Sequence, residues 1–237
     1  MEYLVGTLMA GFIWLACFLW RKDLRHQMLW AGTLYTVIMT VGFFASKLLR
    51  DVPEYQTINP GYWSPETLFN LNAITGGFSI EDVLFMIFFG GIAGVMYELV
   101  AKTSPPNVPV KQGIKLAIPL AIVAAALISR TGVNLMYSII IFGFAGAFVI
   151  WLQRVDLVWR SLVGGFSFLI VYVSVGLLLL SLFPHFIEFN YHLENVSGIL
   201  LVGIPLEEYL FAFGFGSMWS VIYPYTSSVG YRIDVRI

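Results

Sequence analysis

The chain has 237 residues, of which 59% are hydrophobic and 11% charged, with 20 Phe, 12 Tyr and 7 Trp. A soluble domain is about 45–50% apolar and about 25% charged, so a body of 26.6 kDa with mean hydropathy +0.83 has too little polar surface to be covered by water, and its solvent is lipid. A net charge of −1 and the lack of a basic patch exclude nucleic acid as a partner, and the single Cys17 allows neither an internal disulfide nor a cysteine metal cluster.

Apolar runs long enough to cross a bilayer, roughly 17–25 residues each, fall at 2–20, 27–49, 77–101, 113–129, 132–150, 161–183 and 198–223. The first is followed by Arg21-Lys22-Asp23-Leu24-Arg25 with no small-residue cleavage stretch, and reads as a retained span rather than a signal peptide. Cytoplasmic loops hold an excess of Lys and Arg. With seven spans and the N-terminus outside, Arg21, Lys22, Arg25, Lys102, Lys111, Lys115, Arg154, Arg160, Arg232 and Arg236 are cytoplasmic, against Lys47, Arg50 and Arg130 outside. The chain is therefore expected in the cell membrane, N-terminus outside and C-terminus cytoplasmic. Two outer connections, 50–76 and 184–197, carry Tyr62, Trp63 and Glu66, and Glu188, Phe189, Tyr191 and Glu194. Both an interfacial aromatic belt and a functional role are open for them.

A shift of 126 residues lays Ser79-Ile80-Glu81-Asp82-Val83-Leu84-Phe85 on Pro205-Leu206-Glu207-Glu208-Tyr209-Leu210-Phe211 and goes on to match Phe89 with Phe215, Gly90 with Gly216, Val95 with Val221 and Tyr97 with Tyr223. Both copies run from outside to inside. The expected fold is all-α: a polytopic membrane protein of about seven transmembrane helices with two parallel three-helix repeats, 1–105 and 131–237, joined by a linking span within 106–130. At about 1.5 Å per residue, Glu207 lies deeper in a helix begun at Gly198 than Glu81 does in one begun at Gly77. Matching their depths requires the last helix to restart at Pro205 after a bent or re-entrant stretch, and proline suits a first helical position.

Ionisable groups in a membrane helix cost about 2.5–3.5 kcal/mol each and are usually turned inward and used. Here there are four, Glu81, Asp82, Glu207 and Glu208. Ser79-x-x-Asp82 also has the form of a capping box, a role compatible with chemistry. Two like charges in a low dielectric cannot both ionise, so each pair can hold a proton ready for transfer. Helical spacing puts Glu81 on a face with Phe85 and Phe88 or Phe89, and Glu207 with Phe211 and Phe215, and aromatic faces attract cations. An acid among aromatic rings inside a membrane suits protonation of an apolar alkene.

At these residues the chain resembles the integral-membrane lycopene cyclase family, of the bacterial heterodimeric and the archaeal or fungal fused type. The family's signature is Pro-x-Glu-Glu followed by aromatics, in two three-helix halves. Pro205-Leu206-Glu207-Glu208-Tyr209-Leu210-Phe211 looks like that motif, and Phe189-Asn190-Tyr191 resembles the loop before it. In the first half Tyr62-Trp63-Ser64-Pro65 and Ile80-Glu81-Asp82 occupy the matching places, with Ser79 where proline is expected and Asp82 where a second glutamate is. The resemblance implies an intramolecular lyase or isomerase of carotenoid biosynthesis with no net redox change. The end of a linear, lycopene-like carotenoid is protonated, closes on the next alkene and loses a proton to give a β-ionone-type ring. It further implies Glu81, Asp82, Glu207 and Glu208 as acids and bases, Phe85, Phe89, Phe211 and Phe215 against the substrate, and no cofactor or metal. The partners would be the carotenoid or a related polyprenoid, the bilayer and other carotenoid enzymes.

Other classes fit less well. No lysine follows Lys115 to bind retinal, and no Gly-x-Gly-x-x-Gly opens a flavin fold. An intramembrane prenyl-protein protease needs an arginine where Phe211 stands, and His26, His185 and His192 fall outside the runs. The alternative is a proton- or ion-coupled transporter using the acidic pairs, although Asn134 and a few Ser and Thr within the spans do not line a convincing aqueous route. A noncatalytic assembly subunit would instead use Gly90, Gly94, Gly143 and Gly146 for close helix contacts.

Overall fold

The structure, a computed structural model, describes residues 1–49 and 52–231. Arg50, Arg232 and Arg236, three of the charges that set the orientation, lie outside the described residues. The first apolar runs form uninterrupted helices, α1 (Glu2–Trp20) and α2 (Arg25–Leu49). A short α3 (Leu71–Thr75) precedes α4 (Ile80–Ala93), which stops at Gly94 before α5 (Met96–Ala101). The second part has a similar order of elements. After β1 (Val108–Pro109) and α6 (Ala117–Ser129) come α7 (Leu135–Gln153), α8 (Val158–Leu182), the short α9 (Phe186–Asn190), the hairpin β2 (Leu200–Leu201) and β3 (Ile204–Pro205), α10 (Leu206–Trp219) and α11 (Ile222–Thr226). A last strand, β4 (Val229–Gly230), pairs antiparallel with β1.

Corresponding helices have equal lengths: 19 residues in α1 and α7, 25 in α2 and α8, 14 in α4 and α10. The third helices keep the spacing of 126 read from the sequence, but the first two are in register at 133, where Arg21-Lys22-Asp23-Leu24 matches Arg154-Val155-Asp156-Leu157. Both arginines close a helix end and fork onto the neighbouring aspartate, Arg21 on Asp23 at 2.9 and 2.7 Å and Arg154 on Asp156 at 2.8 and 2.7 Å. Each also donates to a carbonyl of a distant segment, Thr103 at 2.7 Å for Arg21 and Val229 at 3.4 Å for Arg154.

Both acid-bearing runs are broken. Residues 77–101 form α4 and α5 rather than one helix, and 198–223 open as a hairpin whose turn residues Val202 and Gly203 have φ of 51° and 82°, as a two-residue turn of mirror-image type requires. The helix then starts at Leu206 with Pro205 in the capping position, so the restart deduced from the depth of Glu207 is present, one residue later than expected. The linking run is helical only over Ala117–Ser129. Among the described residues four helices are long and apolar enough to cross a membrane, and five if Leu68–Thr75 and Ile80–Ala93, bent by 96°, count as one span.

In each half the third helix packs on the first two, α4 on α1 and α2, α10 on α7 and α8. Small residues permit this close approach. A Cβ on Gly32 would sit 2.5 Å from the Ile87 carbonyl, and one on Gly90 or Gly216 would sit 3.2 Å from the Cα of Gly32 or Gly165 respectively. A Cβ on Gly143 would sit 2.6 Å from the Phe215 backbone nitrogen, and one on Gly94 would collide with the Ala31 methyl group, so these glycines serve internal packing. Large apolar side chains such as Phe12, Ile170 and Leu182 are exposed on the outer faces, where lipid would cover them.

Candidate active site

Both acidic pairs stand in the first turn of their helices. In the first half the capping box is complete: the Asp82 N–H donates to Ser79 Oγ at 3.3 Å, and the Ser79 N–H donates to Asp82 Oδ2 at 2.7 Å. Capping leaves the other oxygen of Asp82 free to accept the Tyr3 hydroxyl at 2.7 Å. Glu81 is fully buried, and its Oε1 accepts the Leu68 N–H at 2.6 Å. In the second half Glu207 Oε1 accepts the Ser197 N–H at 2.9 Å and the Tyr137 hydroxyl at 3.0 Å. The Oε2 atoms of Glu81 and Glu207 are both buried without a partner.

Glu208 is held differently. Its Oε1 accepts the hydroxyl of Tyr62 at 2.7 Å and its Oε2 that of Tyr172 at 2.6 Å. Tyr62 belongs to the outer connection of the first half and is 2% exposed. Burial, then the charge of Glu208, push its hydroxyl far above the ordinary phenol range, and Tyr191 is raised by the same causes. Tyr62 therefore keeps its proton and donates it.

Tyr172 gathers the four phenylalanines. Its ring centroid lies 5.1 Å from Phe89, 5.7 Å from Phe211 and 6.5 Å from Phe85, and Phe215 stacks on Phe211 at 5.4 Å. The two halves interlock here. Phe89 of α4 reaches Phe168 of α8 at 6.0 Å, while Phe215 of α10 reaches Tyr35 of α2 at 4.5 Å, and Tyr35 and Phe168 are themselves 133 residues apart.

The expected pairing of acids with rings changes in one respect. The second member of each pair adjoins the rings, Glu208 through Tyr172 and Asp82 through Tyr3, whose ring lies 6.5 Å from Phe85. Glu81 and Glu207 turn to the backbone of the outer connections. The reason is helical phase, because Asp82 with Phe85 and Phe89, like Glu208 with Phe211 and Phe215, follows the i, i+3, i+7 stripe that faces a neighbour.

The outer aromatics are largely tucked inward rather than spread as a belt. Trp63 and Tyr191 form an antiparallel bridge with rings 4.6 Å apart, the Ser64 N–H donates to the Asn190 carbonyl at 2.9 Å, and the His192 N–H donates to that of Tyr62 at 2.9 Å. Tyr3, Tyr137 and Tyr172 were not among the residues singled out from the sequence. Their one signal is a hydroxyl inside an apolar run of a chain with two acidic pairs in such runs to satisfy. Glu98, at the other end of the broken third run, is a further buried carboxyl, held by Gln27 at 3.0 Å and Tyr231 at 2.6 Å.

A family model described as Lycopene cyclase matches residues 2–100 and 134–226, which is most of the chain and includes both acidic pairs. No curated protein and no solved structure matches.

Proposed function

The chain belongs to the lycopene cyclase family, and from that premise we propose that it closes the ends of a linear, lycopene-like carotenoid into β-ionone-type rings. Membership implies a membrane-embedded cyclase acting on a carotenoid. The reading of the reaction rests on one observation above all: buried carboxyls adjoin a cluster of phenylalanines and tyrosines shared by both halves.

One carboxyl gives its proton to the terminal double bond, leaving a tertiary carbocation. The π pair of the next alkene forms the ring bond, and the resulting cation loses a neighbouring proton to a carboxylate as the ring double bond forms. One proton enters and one leaves, so mass and oxidation level are unchanged. Glu81, Asp82, Glu207 and Glu208 are the acids and bases of this scheme, and the rings of Phe85, Phe89, Phe211 and Phe215 lower the energy of the cation. Equal helix lengths and the two matched segments support two parallel three-helix repeats, within 1–105 and 131–237, around a linking segment in 106–130. The broken third and last runs then complete a seven-pass topology with the C-terminus inside.

Expression in a host that accumulates lycopene, with the pigments separated by chromatography, tests the reading. A product of unchanged mass with the retention and spectrum of a cyclic carotenoid is expected. Lycopene returned intact from cells containing inserted protein would overturn it.

A further inference from the structure

Of the four carboxyls, Glu208 alone carries a tyrosine hydroxyl on each oxygen. Asp82 has one oxygen tied to Ser79 of its own cap, and Glu81 and Glu207 each have one oxygen without a partner. We propose that Tyr62 and Tyr172 are positioning residues that clamp Glu208 as the carboxylate which removes the proton from the cyclised cation. The proposal rests on the cyclase reading for the reaction, but the clamp itself can be read without turnover.

Three observations carry it. A carboxyl facing an O–H donor on both oxygens is arranged as an acceptor, because charge-assisted hydrogen bonds favour the ionised form. The clamp is asymmetric: the residue 133 positions before Tyr172 is Met39, so the first half lacks its counterpart, and the second donor, Tyr62, comes across from that first half. Finally, the ring of Tyr172 touches Phe85, Phe89, Phe168 and Phe211, which places the held carboxylate at the edge of the cluster where the cation is stabilised.

In the step itself a C–H bond beside the cationic carbon breaks, its electron pair becomes the ring double bond, and the proton goes to Glu208, which becomes a carboxylic acid. The proton given in the first step balances the one taken here. Which C–H bond is cut decides the position of the ring double bond. A base held from two sides selects one position, and a base held from one side selects less strictly.

The test uses the full chain with Tyr62→Phe, Tyr172→Phe and Glu208→Gln, and Tyr209→Phe as control, since Tyr209 donates to the Leu201 carbonyl instead. Infrared spectra of the purified protein in lipid should show a carboxylate band that Glu208→Gln removes, that both other tyrosine variants shift and that Tyr209→Phe leaves in place. In lycopene-accumulating cells at equal protein level, Tyr62→Phe and Tyr172→Phe should each lower ring formation about tenfold, in keeping with one hydrogen bond to a charged group. They should also yield a mixture of ring double-bond positions, which mere loss of folded protein would not produce. An unmoved infrared band, or a single ring isomer formed at the unaltered rate, overturns the proposal. A shifted band in a chain that leaves lycopene untouched upholds the clamp and overturns the cyclase reading.

Discussion

Phe215 of α10 packs its ring on Tyr35 of α2 with centroids 4.5 Å apart, a contact between the acid-bearing helix of the second half and the second helix of the first. With its counterpart, Phe89 against Phe168, it makes the aromatic interior common property of both halves. Phe211, stacked on Phe215 and edge-on to Tyr172, is where removal of a π face should be felt by the cation with least damage to packing. Phe211→Leu keeps an apolar side chain and is expected to lower ring formation about tenfold, the scale of a desolvated cation–π interaction. Thermal unfolding of the purified variant should show a much smaller change than its pigment yield.

Glutamine keeps the shape and the hydrogen-bond acceptor of glutamate but cannot exchange the proton. Glu207→Gln and Glu208→Gln should each reduce ring formation by at least about a hundredfold, the lower range for an acid or base in the reaction, while the protein inserts at its usual level. Pigment chromatography beside an immunoblot of the membrane fraction measures both. Full activity in both variants would remove the acid scheme.

The third helices were legible in the sequence because acids are rare in apolar helices, so a coincidence of Glu81 with Glu207 stands out where matched leucines do not. The first two helices of each half carry no acid away from their ends and so have no such marker. Their register of 133 rests on Arg21 and Asp23 against Arg154 and Asp156, and the shift of 126 passes over it because the outer connection of the first half is seven residues longer. The break before Leu206 could be deduced from the depth of Glu207, whereas the break after Ala93 could not, since Gly94 and Val95 are as apolar as their surroundings. The tyrosines around the acids were hidden for a different reason. A hydroxyl in an apolar run is uninformative until a partner from 146 residues away, as Glu208 is from Tyr62, is known to meet it.

The glycines at the helix crossings make a prediction about stability. A Cβ on Gly32 would lie 2.5 Å from the Ile87 carbonyl, a backbone atom that cannot swing aside, whereas one on Gly42 of the same helix meets nothing within 4 Å. Overpacking of this kind costs about 1–3 kcal/mol. Gly32→Ala should lower the unfolding temperature of the solubilised protein and Gly42→Ala should leave it unchanged or raise it, since alanine is the better helix former. Equal unfolding temperatures for the two would show that α2 and α4 are not packed as closely as described.

If the two three-helix parts are parallel repeats as proposed, Arg21 and Arg154, which close their first helices with the same kind of fork, lie on one side of the membrane, and the excess of Lys and Arg predicts that this side is the cytoplasm. Glu66, in the outer connection of the first half, has a side chain 91% exposed, and Lys111, after the first three helices, is also exposed. In a background with Cys17 replaced by alanine, a cysteine at position 66 should therefore react with a membrane-impermeant maleimide in intact cells. One at position 111 should react only after the cells are opened. The reverse pattern would invert the topology. Labelling of both in intact cells would put residues 66 and 111 on the same side, so that the broken run from Ile80 to Ala101 would dip into the membrane and return instead of crossing it, and the two acidic helices could no longer be parallel.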